Sequence, residues 1–330
     1  MLSRVVDVSQ VAEARRVVSV LARKAGFDDT ATGRVALVAT EMATNLLRHA
    51  GGGSIAVQRI ADADGDCLEL VAFDGGPGIA DTARALQDGF STAGSAGTGL
   101  GAIRRQAARF EIWSKPGLGT AVMARFPVQG GGAPARQTAV ALGAITEPYP
   151  GETVSGDAWV CGGDQTPTLM LVDGSGHGPN AASAAEAAVA AFSSHQALDC
   201  VRLAQSIHAA LKPTRGGAIG IARIDREHRL VRFVGIGNIS AAMLSGGECR
   251  RMVSHHGVAG HVASRVTEFT YPYTDRPTVI LHSDGLSAKW DIDKYVGLAT
   301  SHPSLIAAAL FDKMRRERDD ACIAVMQAPS

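Results

Sequence analysis

The sequence predicts an α+β chain of two domains, a mixed α/β layer domain followed by a sheet sandwich covered by helices. Three observations predict it. The chain has 330 residues, 46% of them apolar, which supplies two cores at roughly 100 to 200 residues per domain. Residues 129–137, QGGGAPARQ, contain no large apolar residue and carry no periodic pattern, as a short linker does. On each side of that break, stretches of helical spacing interrupt short β-like runs.

In the first half, Val11, Ala14, Val17, Val18, Leu21, Ala22 and Ala25 keep helical spacing, and Gly26 follows as a stop. A second helix is predicted from Asp28 or Asp29 to about Ala50, ending at the glycines 51–53. Strands are expected at 55–60, 68–73 and 120–126, with a Gly-rich region and a helix over 101–110 between the last two. After the linker, β-like runs fall at 138–145, 168–172, 218–224, 230–234 and 278–282, with helices over 181–192, 201–211 and 305–316. The first of these helices is Ala-rich, which favours helix and close packing.

The 32 Lys and Arg balance 32 Asp and Glu, and neither side of the linker is basic, so no nucleic-acid or anionic-membrane partner is expected. Five scattered cysteines, Cys67, Cys161, Cys200, Cys249 and Cys322, form no C-x-x-C pair, which fits a reducing compartment. The N-terminus turns polar too soon for a signal peptide, and no apolar run approaches the ~18 residues of a spanning helix, so a cytoplasmic protein is expected.

On the second helix, Val35, Val38, Ala39, Met42 and Leu46 share one sector, while Glu41, Asn45 and His49 form an adjacent stripe at i, i+4 steps. A carboxylate and an amide on one helix edge serve either as base and metal ligand or as a solvated polar face. Asp74 ends a strand in FDGGPGI, where Gly75, Gly76 and Gly78 let the backbone approach a ligand. AGTGLGAIRR then feeds a Gly-rich turn into a helix, whose free N–H groups and dipole favour phosphate.

Taken in order, the E-x-x-x-N helix, the D-x-G-x-G turn, the G-x-G-x-G turn and the late G-x-G-T strand resemble the GHKL ATPase superfamily. The similarity is closer to the RsbT-like serine/threonine switch kinases and related anti-sigma factors, through EMATNLLRHAGGG, FDGGPGI, LQDGFSTAGSAGTGLGAIRR and FEIWSKPGLGT, over nearly all of residues 1–128. The resemblance implies a Bergerat-type α/β sandwich that binds ATP with Mg²⁺. It implies that Asn45 holds the Mg²⁺, that Glu41 is the general base, and that Asp74 bonds the adenine amino group with support from Thr120. Gly76, Gly78, Gly97, Thr98, Gly99 and Gly101 would shape the pocket and its lid. Too little chain precedes the first box for a phosphoacceptor-histidine helix, so direct transfer to a protein Ser or Thr is expected.

In the second half the informative residues are aspartates beside glycines or at the ends of apolar runs: Asp157 in VSGDAWV, Asp173 in LMLVDGSGHGP, Asp284 in VILHSDGL, and Asp319 and Asp320 before ACIAVM. A lone aspartate at a strand end is ordinarily a turn former or cap. Several brought together repel, and hard divalent cations with oxygen ligands relieve the repulsion. These segments resemble the metal-dependent protein phosphatases of the RsbX and SpoIIE branch over about residues 138–328. The resemblance implies an αββα sandwich holding two Mn²⁺ or Mg²⁺ ions. Asp173 would bridge them and the Gly174 carbonyl would bind one. Asp157 would complete one shell, while Asp284 and Asp319 complete the other; Asp320 stands in support, with the two adjacent aspartates interchangeable in sequence. His177 and Asn180 orient waters or, for His177, satisfy a turn. Gly237 and Asn238 are taken as structural, and His255 and His256 as solvated. VSGDAWV departs from the double glycine and aromatic pair of the SpoIIE branch and is closer to the RsbX version. No Arg or Lys is assigned to the substrate phosphate.

Together the resemblances imply a bifunctional switch, with residues 1–128 a kinase-like domain and 138–330 a phosphatase domain acting on STAS-domain regulatory proteins. The other reading makes the N-terminal domain an ATP binder, or a module that sequesters a partner such as a sigma factor.

Overall fold

The computed structural model describes residues 1–87, 99–128, 139–163, 166–263 and 266–329. These form two compact units, Met1–Gln137 with Asp291–Lys313, and Thr138–Trp290 with Met314–Ser330. Among the described residues, no helix is long and apolar enough to cross a membrane.

The first unit begins with β1 (Leu2–Val5), α1 (Val8–Lys24) and α2 (Asp29–Asn45). Asp7 caps α1 through a capping box: its side chain accepts from Ser9 N–H (2.8 Å) while Gln10 Oε1 accepts from Asp7 N–H (3.0 Å). Asp28 caps α2 by accepting from Ala31 N–H (2.7 Å). The α-helix stops at Asn45, and Leu46–Ala50 is a π-helical turn that ends at Gly51, where φ is +72°. Such turns carry a poorer hydrogen-bond geometry and gather at functional sites. Then follow β2 (Gly53–Asp62), β3 (Gly65–Asp74), the single turn α3 (Thr82–Ala85), α4 (Gly99–Gln106), β4 (Arg109–Lys115) and β5 (Gly119–Pro127). The strands make an antiparallel sheet ordered β1-β2-β3-β5-β4. Leu68, Leu70, Ala72, Val122, Ala124 and Phe126 project from one face into the core with α1, α2 and α4.

The second unit contains β6 (Ala141–Glu147), β7 (Asp157–Gly162), β8 (Thr168–Gly174), α5 (Pro179–His195), α6 (Cys200–Leu211), β9 (Gly217–Asp225), β10 (Leu230–Ile236), β11 (Ser240–Ser245) and β12 (Glu248–Met252). After these come β13 (Gly257–Val258), β14 (Val262–Ala263), β15 (Phe269–Pro272), β16 (Thr278–His282) and β17 (Ala321–Gln327), while the intervening α7 (Pro303–Met314) belongs, up to Lys313, to the first unit. Two five-stranded antiparallel sheets, β15-β10-β9-β8-β7 and β12-β11-β16-β17-β6, pack face to face through β16 and β17 on β7 and β8. Met170, Val172, Ile219, Ile221, Val234 and Ile236 point the other way, into a core with α5 and α6. The small alanines of α5 let that helix lie close to β7 and β8. The chain is thus α+β, an α/β layer unit followed by two packed sheets flanked by helices, the architecture that the sequence predicts.

Two differences from the sequence expectation have physical causes. The helix expected over 101–110 ends at Gln106, because Phe110 and Ile112 alternate with polar residues and join β4 at the sheet edge. More consequential, Asp291–Lys313, which the sequence groups with the C-terminal half, packs with the first unit. The reason lies in β3, which is buried on both faces. On its second face Phe73 meets the Phe311 ring edge-on at 6.1 Å. Trp113 Nε1–H donates to the Val296 carbonyl (3.2 Å). Ser304 Oγ donates to Glu69 Oε2 (2.7 Å), and Arg125 donates to Glu69 (2.7 Å), Asp62 (3.0 Å) and Asp64 (2.8 Å). Asp62, Asp64 and His302 could hold a cation by spacing, but the Arg125 guanidinium already supplies that charge, with Arg109 on Asp64.

Candidate functional sites

The first site is a cavity of about 480 Å³ in the N-terminal unit, within the range that holds a small-molecule ligand. Met42, Asn45, Leu46 and His49 line it from α2 and the π turn, Ala72 and Asp74 from β3, 77–81 from the following loop, Gly99, Leu100 and Ile103 from α4, and Thr120 and Val122 from β5. The structure therefore brings together Asn45, Asp74, Gly78, Gly99 and Thr120. Gly101 is buried in α4 and Gly76 stands just behind Asp74, neither of them lining the cavity. Glu41 is half-buried one turn before Asn45 and is not among the lining residues. Gly97 and Thr98 lie outside the described residues.

Asp74 is the polar anchor of this cavity. Gly76 N–H donates to its Oδ1 (2.9 Å), and Thr120 is its cross-strand partner. Burial pushes its carboxyl up to about 6, against the lowering effect of the Gly76 hydrogen bond. Two glycines make the turn possible. Gly78 has φ +73°, and a Cβ there would sit 1.9 Å from the Lys115 carbonyl oxygen; Gly119 has φ +94°, and its Cβ would fall 1.9 Å from the Asp74 carbonyl oxygen. A Cβ on Gly99 would lie 3.1 Å from Asn45 Oδ1, so the start of α4 rests on the Asn45 amide. Ser114 is a supporting residue that the sequence reading missed. Its Oγ accepts from Ile79 N–H (2.8 Å), donates to the Gly119 carbonyl (2.9 Å) and lies 2.8 Å from Thr120 Oγ1. It ties the 77–79 loop to the floor of the cavity, and the signal for it was its place inside FEIWSKPGLGT.

The second site is a cluster of carboxylates in the C-terminal unit. Asp157 and Asp173 face each other across β7 and β8, Asp284 follows β16, and Asp319 and Asp320 precede β17. Burial and then the Asp173 charge raise Asp157 well above the ordinary carboxylate range. Burial, Asp284, Asp319 and Asp320 push Asp173 up to about 7. Burial and Asp284 also raise Asp319. Asp157, Asp173 and Asp319 thus each feel neighbouring aspartates as like charges. Gly174 carries the close approach at this centre: its N–H donates to the Gly156 carbonyl (3.0 Å), and a Cβ would stand 2.3 Å from the Ala181 carbonyl oxygen.

Two carboxylate oxygens, Asp157 Oδ2 and Asp320 Oδ2, are buried without a hydrogen-bond partner among the described residues, although buried polar atoms are ordinarily satisfied. A set of oxygen donors, mutually repelling and partly orphaned, fits hard divalent cations. Asp320 is the more buried of the adjacent pair and accepts from Tyr149 N–H (2.8 Å), whereas Asp319 is half-exposed and accepts from Asp320 N–H (3.0 Å). Asn238, read from sequence as structural, donates to Asp284 Oδ2 (2.6 Å) and so orients that carboxylate. His177 stacks on Tyr149 (4.2 Å) and bonds Glu152 (2.8 Å), while Asn180 is exposed.

Comparison with known proteins finds a separate match for each half of the chain. Residues 5–126 match the histidine kinase-like ATPase domain, and residues 163–329 match Stage II sporulation protein E (SpoIIE). Serine/threonine-protein kinase RsbT of Bacillus subtilis (strain 168) is 33% identical over 121 residues, covering 37% of this chain and 91% of RsbT. A solved chain from work on the bacterial stressosome, a modular system adapted to control secondary messenger signaling, is 27% identical with a TM-score of 0.53, over 57% of this chain and 98% of its own. RsbX in complex with magnesium is 21% identical with a TM-score of 0.49, over 56% of this chain and 94% of its own.

Proposed function

From a chain that belongs to the SpoIIE family through residues 163–329 and to the RsbT family of histidine kinase-like ATPase domains through its N-terminal unit, we propose a bifunctional partner-switching regulator of the cytoplasm. One unit adds phosphate to Ser or Thr of a STAS-domain protein and the other removes it. One observation carries the reading: a single chain holds a nucleotide-sized cavity rimmed by Asn45 and Asp74 and, separately, a carboxylate cluster with orphaned buried oxygens.

In the kinase direction, Asp74 accepts from the adenine amino group while Gly76 N–H and Thr120 keep its carboxylate in place. Asn45 would hold the Mg²⁺ of Mg-ATP, Gly97, Thr98, Gly99 and Gly101 would shape the phosphate end of the pocket, and Glu41 would take the proton of the attacking hydroxyl. In the phosphatase direction, Asp173 and the Gly174 carbonyl would hold the metal pair, Asp157 would complete one shell, and Asp284 and Asp319 the other, with Asp320 in support. When bound, two Mn²⁺ or Mg²⁺ ions supply an acidified water and neutralise phosphoryl oxygens. Asn238 keeps the Asp284 carboxylate turned for that role.

The test is incubation with labelled ATP and STAS-domain proteins. Label is expected on Ser or Thr with the wild-type chain, to fall roughly a hundredfold or more in Glu41→Ala, and to be released by Mn²⁺ only where Asp173 is intact. The placement of Glu41 outside the cavity lining favours a second reading, in which the N-terminal unit only binds ATP or sequesters a partner such as a sigma factor. Nucleotide binding without label on any STAS protein would select it.

A further inference from the structure

The segment that covers the second face of β3 leaves and rejoins the C-terminal unit between two members of the carboxylate cluster. Asp284 stands shortly before Trp290, where that unit is left, and Asp319 shortly after Met314, where it is re-entered. The two ends are clasped. Ser287 N–H donates to the Met314 carbonyl (2.8 Å) and Arg316 N–H to the Gly285 carbonyl (2.8 Å), with Leu286 and Arg315 paired antiparallel between them. Behind the clasp, Ser283 N–H donates to the Cys322 carbonyl (3.0 Å), and a Cβ on Gly285 would lie 1.9 Å from the Asp320 carbonyl oxygen. Trp290 Nε1–H donates to His282 Nε2 (3.1 Å), which fixes the outgoing end. The backbone carrying Asp284 and the backbone carrying Asp319 and Asp320 are therefore one tied piece.

In the N-terminal unit the same segment is seated beside Asp74. α7 is buried along Pro303–Phe311, and Phe311 meets Phe73, the residue before Asp74. Asp312 and Lys313, paired at 3.4 Å, stand over Gly75: Lys313 Nζ is 2.7 Å, and Asp312 Oδ2 3.1 Å, from where a Gly75 Cβ would be. Behind burial and the Gly76 hydrogen bond, the Asp312 charge raises the Asp74 carboxyl and Lys313 lowers it. Lys313 is followed directly by Met314 and the clasp.

We propose that nucleotide in the N-terminal cavity is an effector of the phosphatase site, with α7 and its clasp as the link: occupancy tightens divalent-metal binding at the carboxylate cluster, and metal tightens nucleotide binding by the same factor. The coupling rests on the nucleotide and metal readings of the two sites. A ligand held by Asp74 orders the turn on which Asp312 and Lys313 rest, and a clasp already ordered costs the metal less to fix. A close-packed helix such as α7 transmits a displacement rather than absorbing it.

The test uses the full chain and ADP as the probe, with free Mn²⁺ set by a metal buffer. ADP is expected to lower the Mn²⁺ midpoint of p-nitrophenyl phosphate hydrolysis about fivefold or more, and to slow hydrogen–deuterium exchange of the Ser287 and Arg316 amides by a similar factor. Asp74→Asn, in the same mixture of Mn²⁺ and ADP, should show neither response. Phe311→Leu and Lys313→Ala, which loosen the seat of α7, should keep the ADP-free midpoint and lose most of the response. An unchanged midpoint with unchanged exchange overturns the proposal, as does a response that survives in both α7 variants, which would place the link elsewhere. Calorimetry separates these results from failure of the underlying readings. A wild-type chain that binds no ADP overturns the nucleotide reading, one that hydrolyses nothing with Mn²⁺ overturns the phosphatase reading, and the coupling falls with either.

Discussion

The cavity of the N-terminal unit and the carboxylate cluster of the C-terminal unit, both proposed here for phosphate chemistry, are built from different materials. The cavity is shaped by backbone: glycines at positive φ, a π turn, a helix N-terminus and one anchoring carboxylate, Asp74. The cluster is made of charge: five aspartates at four strand ends, two with a buried oxygen that has no hydrogen-bond partner among the described residues. A site made by shape fails when its turns are disturbed. A site made by charge fails when its counter-ions or ligands are lost, while the surrounding fold is relieved of repulsion.

The sharpest way to break this contrast is Asp173→Asn. Mn²⁺-dependent phosphatase activity is expected to fall roughly a thousandfold or more, about 4 kcal/mol of transition-state stabilisation. The metal-free melting temperature should hold or rise, since one of five repelling carboxylates is gone. A lower melting temperature would show that Asp173 supports the fold rather than metal.

Next in size is Gly78→Ala, which forces a Cβ against the Lys115 carbonyl at positive φ and should cost about 3 kcal/mol of stability in the N-terminal unit together with nucleotide binding. Gly117→Ala is its control: φ is +75° but nothing lies within 4 Å, so strain alone should cost about 1 kcal/mol. Equal losses measured by denaturant unfolding would remove close approach from the explanation.

A smaller effect is expected from pH. Asp74 has its carboxyl raised to about 6 in the folded chain against an ordinary value near 4. The folded state therefore binds this proton more tightly than the unfolded one. The corresponding stability is present below pH ~4, is lost as pH rises to ~6 and is constant above. Nucleotide binding, which needs the accepting carboxylate, should run the other way and weaken about tenfold between pH 7 and 5. Asp74→Asn should flatten that dependence, and an ATP titration at both pH values decides it.

Ser114→Ala is the mildest perturbation. It leaves Ile79 N–H without its acceptor and Thr120 without its partner, and should weaken nucleotide binding about fivefold, close to 1 kcal/mol, without touching the phosphatase.

Much of both sites was legible in the sequence because turn chemistry and strand ends are local. FDGGPGI and DGSGHG announce backbone that must approach something, and Asn45, Asp74, Gly78, Gly99 and Thr120 do meet at one cavity. The roles of Ser114 and Asn238 were less legible: FEIWSKPGLGT marks the neighbourhood of Ser114, but its bond to Ile79, like that of Asn238 to Asp284, spans a long separation in the chain that no local pattern names. The π turn after Asn45 was equally hidden, since Leu46–Ala50 keeps ordinary helical composition.

The amino-acid sequence by itself determined the two-part organisation, the run of secondary structure and the candidate residues proposed for nucleotide and metal, because periodicity, glycine placement and carboxylates at strand ends are written residue by residue. Tertiary structure alone decided which buried oxygens lack partners and that Asp291–Lys313 completes the N-terminal unit. That last outcome follows from burial: the second face of β3, with Glu69, Val71 and Phe73, needs a cover, and an apolar helix more than two hundred residues away in the chain supplies it.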